Sequence, residues 1–362
     1  MLSATPMQSS AQTSPAARVS LIIPCFDREL LLTETLDSVQ RQTFRAWEAI
    51  VVDDDSRDRS LDVAQQYAMH DARFRIVCRR GPRRGANVCR NQGFQLAKGE
   101  YIIFLDSDDL ISESCLQHRV AAMDGSPLSC FGVFQTEMFD RKIGDRNVLC
   151  NAFTNTSDLR RFLSLDSVWH TSGPIWRRES LVRLGEFDES LLSFHDWDLH
   201  VRALIAQINY LRVPLRDHFY RSPCVNAEAI GRQSITNPDH LRSHQRLFEK
   251  TLNLLGQSEI LDDDLRSRVA GLFWWLANRW QRISDISNAG RVWRRAHQLK
   301  LCTRRQYLEG LLMFRLYSIR GGRRVGRFIQ RTWPPQYYQF YSAHFHNTPV
   351  PTANSDALLS AL

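Results

Sequence analysis

The 362-residue sequence has no uninterrupted apolar run of the length, about 18 residues, that a membrane-spanning helix needs. Its opening stretch, MLSATPMQSSAQTSPAAR, carries no basic segment followed by an apolar one, so no secretory signal is expected there. Glycine (17) and proline (13) are sparse, which excludes collagen-like and low-complexity architectures. None of the eight cysteines forms a C-x-x-C pair. That argues against a zinc site and for buried free thiols in a reducing compartment. No G-x-G-x-x-G follows the first strand-like run, which disfavours a nicotinamide-dinucleotide domain.

Acidic residues are scarce in one part only. Up to residue 240 there are 28 basic and 31 acidic residues; beyond it there are 19 and 8. Between Leu265 and Arg331 the counts are 16 and 2, nearly all the basic ones arginine. A near-neutral first part thus precedes a strongly basic one. Interleaved Trp274, Trp275, Trp280, Trp293, Phe314 and Tyr317 suit either an anionic membrane surface as partner of that region, or a helical bundle that packs on the first part or forms a dimer interface with its arginines solvated. No nucleic-acid reading motif accompanies the charge, so no nucleic acid is expected.

The first part alternates short β-branched runs with amphipathic helical spacing. RVSLIIP (18–24), WEAIVV (47–52), FRIVC (74–78) and YIIFL (101–105) read as strands, and 29–42, 58–70 and 86–97 as helices. Ser112 is expected to cap a further helix. This is an α/β pattern, a mostly parallel mixed sheet flanked by helices. Strands are also expected at 128–135 and 172–177, and a helix at 197–208. Two short extended pieces follow at 209–214 and 219–222. Beyond 237 a helical region is expected, with Val269, Leu272, Phe273, Leu276 and Trp280 on one face. The expected divisions are a disordered tail at 1–17, the α/β domain at 18–236, an Arg/Trp-rich helical region at 237–343 and a loose tail at 344–362.

Right-handed crossovers place the parallel strands' C-termini at one edge, where ligands of such sheets bind. Acidic clusters fall there: Asp27, Asp53–Asp55, and Asp106-Ser107-Asp108-Asp109. Carboxylates after YIIFL suit Mg²⁺ or Mn²⁺ shared with a diphosphate. Asp54 can accept from a base or ribose. Arg83, Arg84 and Arg90 can neutralise phosphate charge. Further on, His195-Asp196-Trp197-Asp198 opens a helix. Asp196 could be a helix cap or a general base, and His195 an alternative base or a neighbour that tunes it.

These residues resemble the family 2 glycosyltransferases with the GT-A fold. The matching segments are VSLIIPCFDRELLLTETLDSVQRQTF, WEAIVVDDDSRD, GANVCRNQGFQLAKGEYIIFLDSDDL, SGPIWRRESLVRLGEFDE and HDWDLHVRAL, about half of the chain. The resemblance implies inverting, metal-dependent transfer of a sugar from a nucleotide-diphosphate sugar, commonly a UDP-sugar, to a glycan or lipid-linked acceptor. It places Pro24, Cys25, Phe26 and Asp27 at the nucleoside and Asp54 at the base. Arg90 and Asn91 fall near the diphosphate, Asp106, Ser107 and Asp108 at the ribose, with Asp106 and Asp108 at the metal. Asp196 is then the catalytic base, with His195, Trp197 and Arg232 toward the acceptor or a covering loop. His195 stands where the family usually has Glu, and Asp55 where Gly or Asn is usual. The alternatives are a catalytically silent binding protein on this fold and a nucleotidyltransferase. A cytoplasmic protein, peripheral on the inner face of the cell membrane, is the expected setting.

Overall fold

The structure is a computed structural model that describes residues 16–82, 84–150, 152–166, 168–222, 234–319 and 348–349. Arg83, Arg232, the tail before residue 16 and most of 344–362 lie outside the described residues.

The parallel half of the sheet follows from sequence alternation. Strands β1 (Val19–Cys25), β2 (Trp47–Asp53), β3 (Phe74–Cys78) and β4 (Tyr101–Phe104) are joined by helices α1 (Leu32–Gln40), α2 (Ser60–His70) and α3 (Ala86–Leu96). β1 pairs parallel with both β2 and β4, and β2 with β3. β1, β2 and β4 are buried throughout because helices cover both faces, as their unbroken apolar runs require.

The second half is mixed. β5 (Leu110–Ile111) precedes α4 (Cys115–Asp124), β6 (Phe131–Phe139), β7 (Val148–Leu149), α5 (Asp158–Phe162), β8 (Pro174–Arg177), α6 (Arg178–Leu184), α7 (His195–Ile205) and β9 (Tyr210–Arg221). β8 joins the halves by running antiparallel to both β4 and β6. The sheet order is β10-β7-β6-β8-β4-β1-β2-β3, with β9 on β6 and β5 on β9. β10 is Thr348–Pro349, expected in a loose tail; its backbone pairs with β7. The two extended pieces expected at 209–222 are one strand. Its register against β6 shifts after Val213, so Pro214 and its missing N–H sit at an irregularity. Ser112 does not cap α4, whose N-cap is Ser114 with no side-chain bond. Ser112 contributes its carbonyl to Gln42 Nε2 instead (2.6 Å).

Among the described residues, four helices follow: α8 (Pro238–Gln257), α9 (Asp263–Arg282), α10 (Ile286–Gln298) and α11 (Arg304–Ser318). Val269, Leu272, Phe273, Leu276 and Trp280 are buried, as their spacing predicts. Trp274, Trp275, Trp293 and Phe314 are buried too, so these aromatics fill the bundle rather than face a membrane. One continuous apolar cluster runs from Ile22 through Trp197 and Phe248 to Phe314, so the helices share a core with the sheet. No helix among the described residues is long and apolar enough to cross a membrane. The seven described cysteines are free, and Cys78 is exposed rather than buried.

Candidate active site

A cavity of about 810 Å³ opens at the C-terminal edge of β1, β2 and β4. Pro24, Cys25, Phe26, Asp27, Asp54, Arg90, Asp106, Ser107, Asp108, His195 and Asp196 all line it. Residues as far apart in sequence as Pro24 and Asp196 therefore meet in one space.

At one end, the turns after β1 and β2 are tied together. The Asp54 N–H donates to Cys25 O (2.8 Å), and Asp27 Oδ1 accepts from the Arg57 N–H (2.7 Å). Asp54 is buried and both its oxygens are engaged, by Arg79 Nη1 (2.7 Å) and the Gly85 N–H (2.8 Å). Asp55 takes a left-handed backbone (φ 64°), which explains how an acidic residue replaces Gly or Asn: Asp tolerates that conformation through local hydrogen bonding. Its carboxylate pairs with Arg84, whose guanidinium lies 5.8 Å from the Phe26 ring centroid. Burial, then Asp53, pushes the Cys25 thiol up to about 12, so it is an inert thiol wall.

The acidic turn after β4 forms the floor. Arg90, fully buried on α3, donates to Asp106 Oδ1. Burial alone would raise Asp106; the Arg90 charge, His170 and the Arg90 hydrogen bond together outweigh it and hold the carboxyl below its usual range. Asp108 goes the other way: burial, then Asp109 and Asp106, push it up to about 6, despite Arg28 at 3.7 Å. Asp109 is a brace. It accepts from His218 Nε2 (2.9 Å), the Arg221 N–H (3.0 Å) and Ser172 Oγ (3.4 Å). Asp109, His170 and His218 also bring ligand-type atoms within 4.8 Å of one another. His218 spends its other nitrogen on Thr136 (3.0 Å), whereas His170 Nδ1 is buried without a hydrogen bond.

The opposite wall comes from the start of α7. Phe194 has a left-handed backbone (φ 59°) at the helix N-cap, a sparsely populated state for an aromatic residue. The loop before it is strapped to α3: Asn87 Nδ2 donates to Asp188 O (2.9 Å) and Leu191 O (3.0 Å). Asp196 does not serve as the N-cap. Its Oδ2 accepts from Thr171 Oγ1 (2.9 Å) and its Oδ1 from the Trp197 N–H (2.9 Å). Burial would raise its carboxyl, but His195, His200 and Arg90 outweigh burial and hold it well below the usual range.

Among the described residues, two expected site residues do not line the cavity. The Asn91 amide is consumed by the loop, donating to Phe187 O (3.0 Å) and Glu189 Oε1 (3.0 Å) and accepting from the Phe187 N–H (2.9 Å). Trp197 is buried in the core, its Nε1 donating to Phe162 O (3.0 Å). Conversely, Arg28, His170, Thr171, Ser193 and Tyr220 line the cavity and were missed. Arg28 alone carried a local signal, following Asp27 directly; Ser193 arrives on the loop before α7, and the others through long-range pairing of β8 and β9.

The Glycosyl transferase family 2 profile matches residues 20–180. The chain is 30% identical over 192 residues to the uncharacterized glycosyltransferase EpsJ of Bacillus subtilis, covering 51% of this chain and 55% of that protein. It thus spans about half of EpsJ's length. It is 30% identical over 190 residues to a PGL/p-HBAD biosynthesis glycosyltransferase of Mycobacterium bovis, covering 52% of this chain and 70% of that one. The fold matches Staphylococcus aureus TarS 1–349, crystallised with UDP-GlcNAc, at a TM-score of 0.59 and 17% identity, over 91% of this chain and 92% of that one. The sequence matches therefore show that the chain belongs to glycosyl transferase family 2.

Proposed function

We propose that the cavity binds a nucleotide-diphosphate sugar, a UDP-sugar in the first instance, and transfers the sugar with inversion to a hydroxyl of a glycan or lipid-linked acceptor. The observation that carries this reading is Asp196: an ionised carboxylate, oriented by Thr171, on the wall of the cavity that the acidic turn floors. The shared fold holds a UDP-sugar in TarS.

In this reading Pro24, Cys25, Phe26, Asp27 and Asp54 form the nucleoside end, with Phe26 (38% exposed) as its apolar face. Asp106 and Ser107 lie toward the ribose, and Arg90 toward the diphosphate. Mn²⁺ or Mg²⁺ fits the acidic turn, because crowding by Asp106 and Asp109 leaves Asp108 short of positive charge and its oxygens are hard ligands. Asp106 and Asp108 would hold the ion, with His170 Nδ1, buried without a hydrogen bond, 3.6 Å from the neighbouring Asp109 Oδ2. When bound, the cation neutralises charge on the departing diphosphate. Asp196 takes the proton from the acceptor hydroxyl. That oxygen attacks the anomeric carbon as the bond to the diphosphate oxygen breaks on the opposite face. Ser193, through His240 Nδ1 (2.8 Å) and His244 Nε2 (2.9 Å), anchors the Asp196 loop to α8.

The setting that fits is the inner face of the cell membrane, with α11 toward an anionic lipid surface. Leu308, Leu312 and Ile319 are exposed there, flanked by exposed Arg304, Arg305 and Arg315.

Nucleotide release from a panel of UDP-, GDP- and dTDP-sugars, with Mn²⁺ or Mg²⁺, tests the reading. Metal-dependent release of one nucleotide, lost in Asp108→Ala and Asp196→Asn, is expected. Silence across the panel, with no donor or metal binding by calorimetry, would overturn it.

A further inference from the structure

The two carboxylates that would hold a cation are fixed by different means. Asp106 is gripped through its side chain by Arg90. No hydrogen bond from a described residue reaches the Asp108 carboxylate, and Arg28 Nε stands 3.7 Å away. Oxygens left open in this way suit an incoming ion. Their direction then has to come from the main chain of the turn.

That main chain is held by a residue from the far end of β9. Arg221 Nε donates to Asp108 O (2.9 Å), and the Arg221 N–H donates to Asp109 Oδ1 (3.0 Å). Among the described residues, the bond from Arg221 Nε is the one hydrogen bond that Asp108 makes. The guanidinium is clamped in turn. Its Nη2 donates to Glu34 Oε2 on α1 (2.9 Å), and its carbon lies 4.5 Å from the Phe139 ring centroid. The Arg221 side chain is only 5% exposed. Guanidinium donors leave in fixed directions, so one planar group spans the acidic turn and α1.

Charge alone does not account for this arrangement. A guanidinium beside a cation site repels the ion, and Glu34 offsets that repulsion by pairing with it. What remains is geometry.

We propose that Arg221 is a positioning residue for the cation: by fixing the Asp108 carbonyl it aims the Asp108 carboxylate into the cavity, with Glu34 as its anchor. The proposal rests on the reading of Asp108 as a cation ligand.

Electron paramagnetic resonance of free Mn²⁺ tests it, by titrating the full chain with UDP present. Arg221→Met keeps an apolar stem and removes the donors. It should weaken Mn²⁺ binding by about 10–100-fold, the usual cost of losing a group that orients a metal ligand. UDP affinity without metal, read by calorimetry, should not change. Glu34→Ala, at a half-exposed position, should weaken Mn²⁺ by about two- to fivefold. The sign is decisive. A guanidinium that acted only as a charge would compete with the ion, so its removal would tighten binding. Mn²⁺ affinity in Arg221→Met equal to or above that of the wild type overturns the proposal alone. If Arg221→Met fails to fold or loses metal-free UDP binding, Glu34→Ala decides, and an unchanged or tighter Mn²⁺ affinity there overturns it. A wild type that binds no Mn²⁺ with UDP present removes the cation reading of the turn, and the proposal falls with it.

Discussion

Asp196 owes its low proton affinity to its neighbours, since burial acts against it. The depressed carboxyl remains ionised throughout the range of ordinary buffers. Turnover at saturating donor and metal should therefore show no acid limb from the base between pH 5 and 8; an inflection there that survives saturation would contradict the assignment. Asp196→Asn should lower turnover by about 10²–10⁴-fold, the usual worth of a positioned general base, with donor affinity unchanged by calorimetry. Thr171 acts through Asp196. Thr171→Val removes the 2.9 Å bond and should reduce turnover about tenfold, while Thr171→Ser keeps the hydroxyl and most of the rate. Equal rates in the two variants would remove Thr171 from the argument. These carboxylates were legible in sequence because each follows a strand or opens a helix. Thr171 and His170 were not, since the sequence does not show that β8 runs antiparallel to β4 and carries them to its edge.

Elements position these residues, and α3 is the clearest case. Arg90 reaches Asp106 because the helix sits close on β1, and Gly93 permits the approach. A Cβ at Gly93 would lie 2.4 Å from Ile22 Cγ2 and 3.3 Å from Val52 Cγ2. Gly93→Ala should cost about 1–3 kcal/mol by overpacking, read as a lower thermal midpoint, and should weaken UDP-sugar binding as Arg90 shifts. Unchanged stability would mean that the sheet yields more readily than its burial suggests. On α8, Lys250 Nζ bridges Asp188 and Asp198 at 2.8 Å each. Asp198 also holds Arg202 Nε (2.8 Å), so Lys250→Met leaves it paired. The expected loss is about 1–2 kcal/mol, below that of a fully buried pair, because the lysine is partly exposed. The helical spacing of 269–280 gave no hint of this bridge, since periodicity marks the buried face and says nothing about the partner element. The split of β9 into two pieces failed for a related reason: Pro214 reads as a strand breaker unless β6 is seen to slip register beside it.

At the scale of the molecule, the apolar cluster that joins the sheet to α8–α11 makes the basic region part of the folded body. Removing everything after residue 236 would uncover Trp197 and its neighbours where Phe248 packs at 6.0 Å, so the truncated chain should aggregate. The charge that survives this packing lies outside the core. Several arginines are paired, Arg295 with Glu249 and Arg268 with Asp264, and Arg305 meets Glu309. The outer face of α11 still presents Leu308 and Leu312 with Arg304 and Arg315 beside them, and the sequence beyond Glu309 has no acidic residue before Asp356. Apolar contact plus attraction to anionic headgroups adds about 1 kcal/mol per arginine near the surface and is screened within about a Debye length. The full chain should therefore sediment with phosphatidylcholine–phosphatidylglycerol vesicles at low salt and leave them at high salt. Pure phosphatidylcholine should retain little. Leu308→Glu with Leu312→Glu should abolish binding without altering nucleotide release, because that face is remote in sequence from every cavity residue. Absence of binding at low salt would sink the membrane assignment, and binding that persists in the double variant would move it off α11.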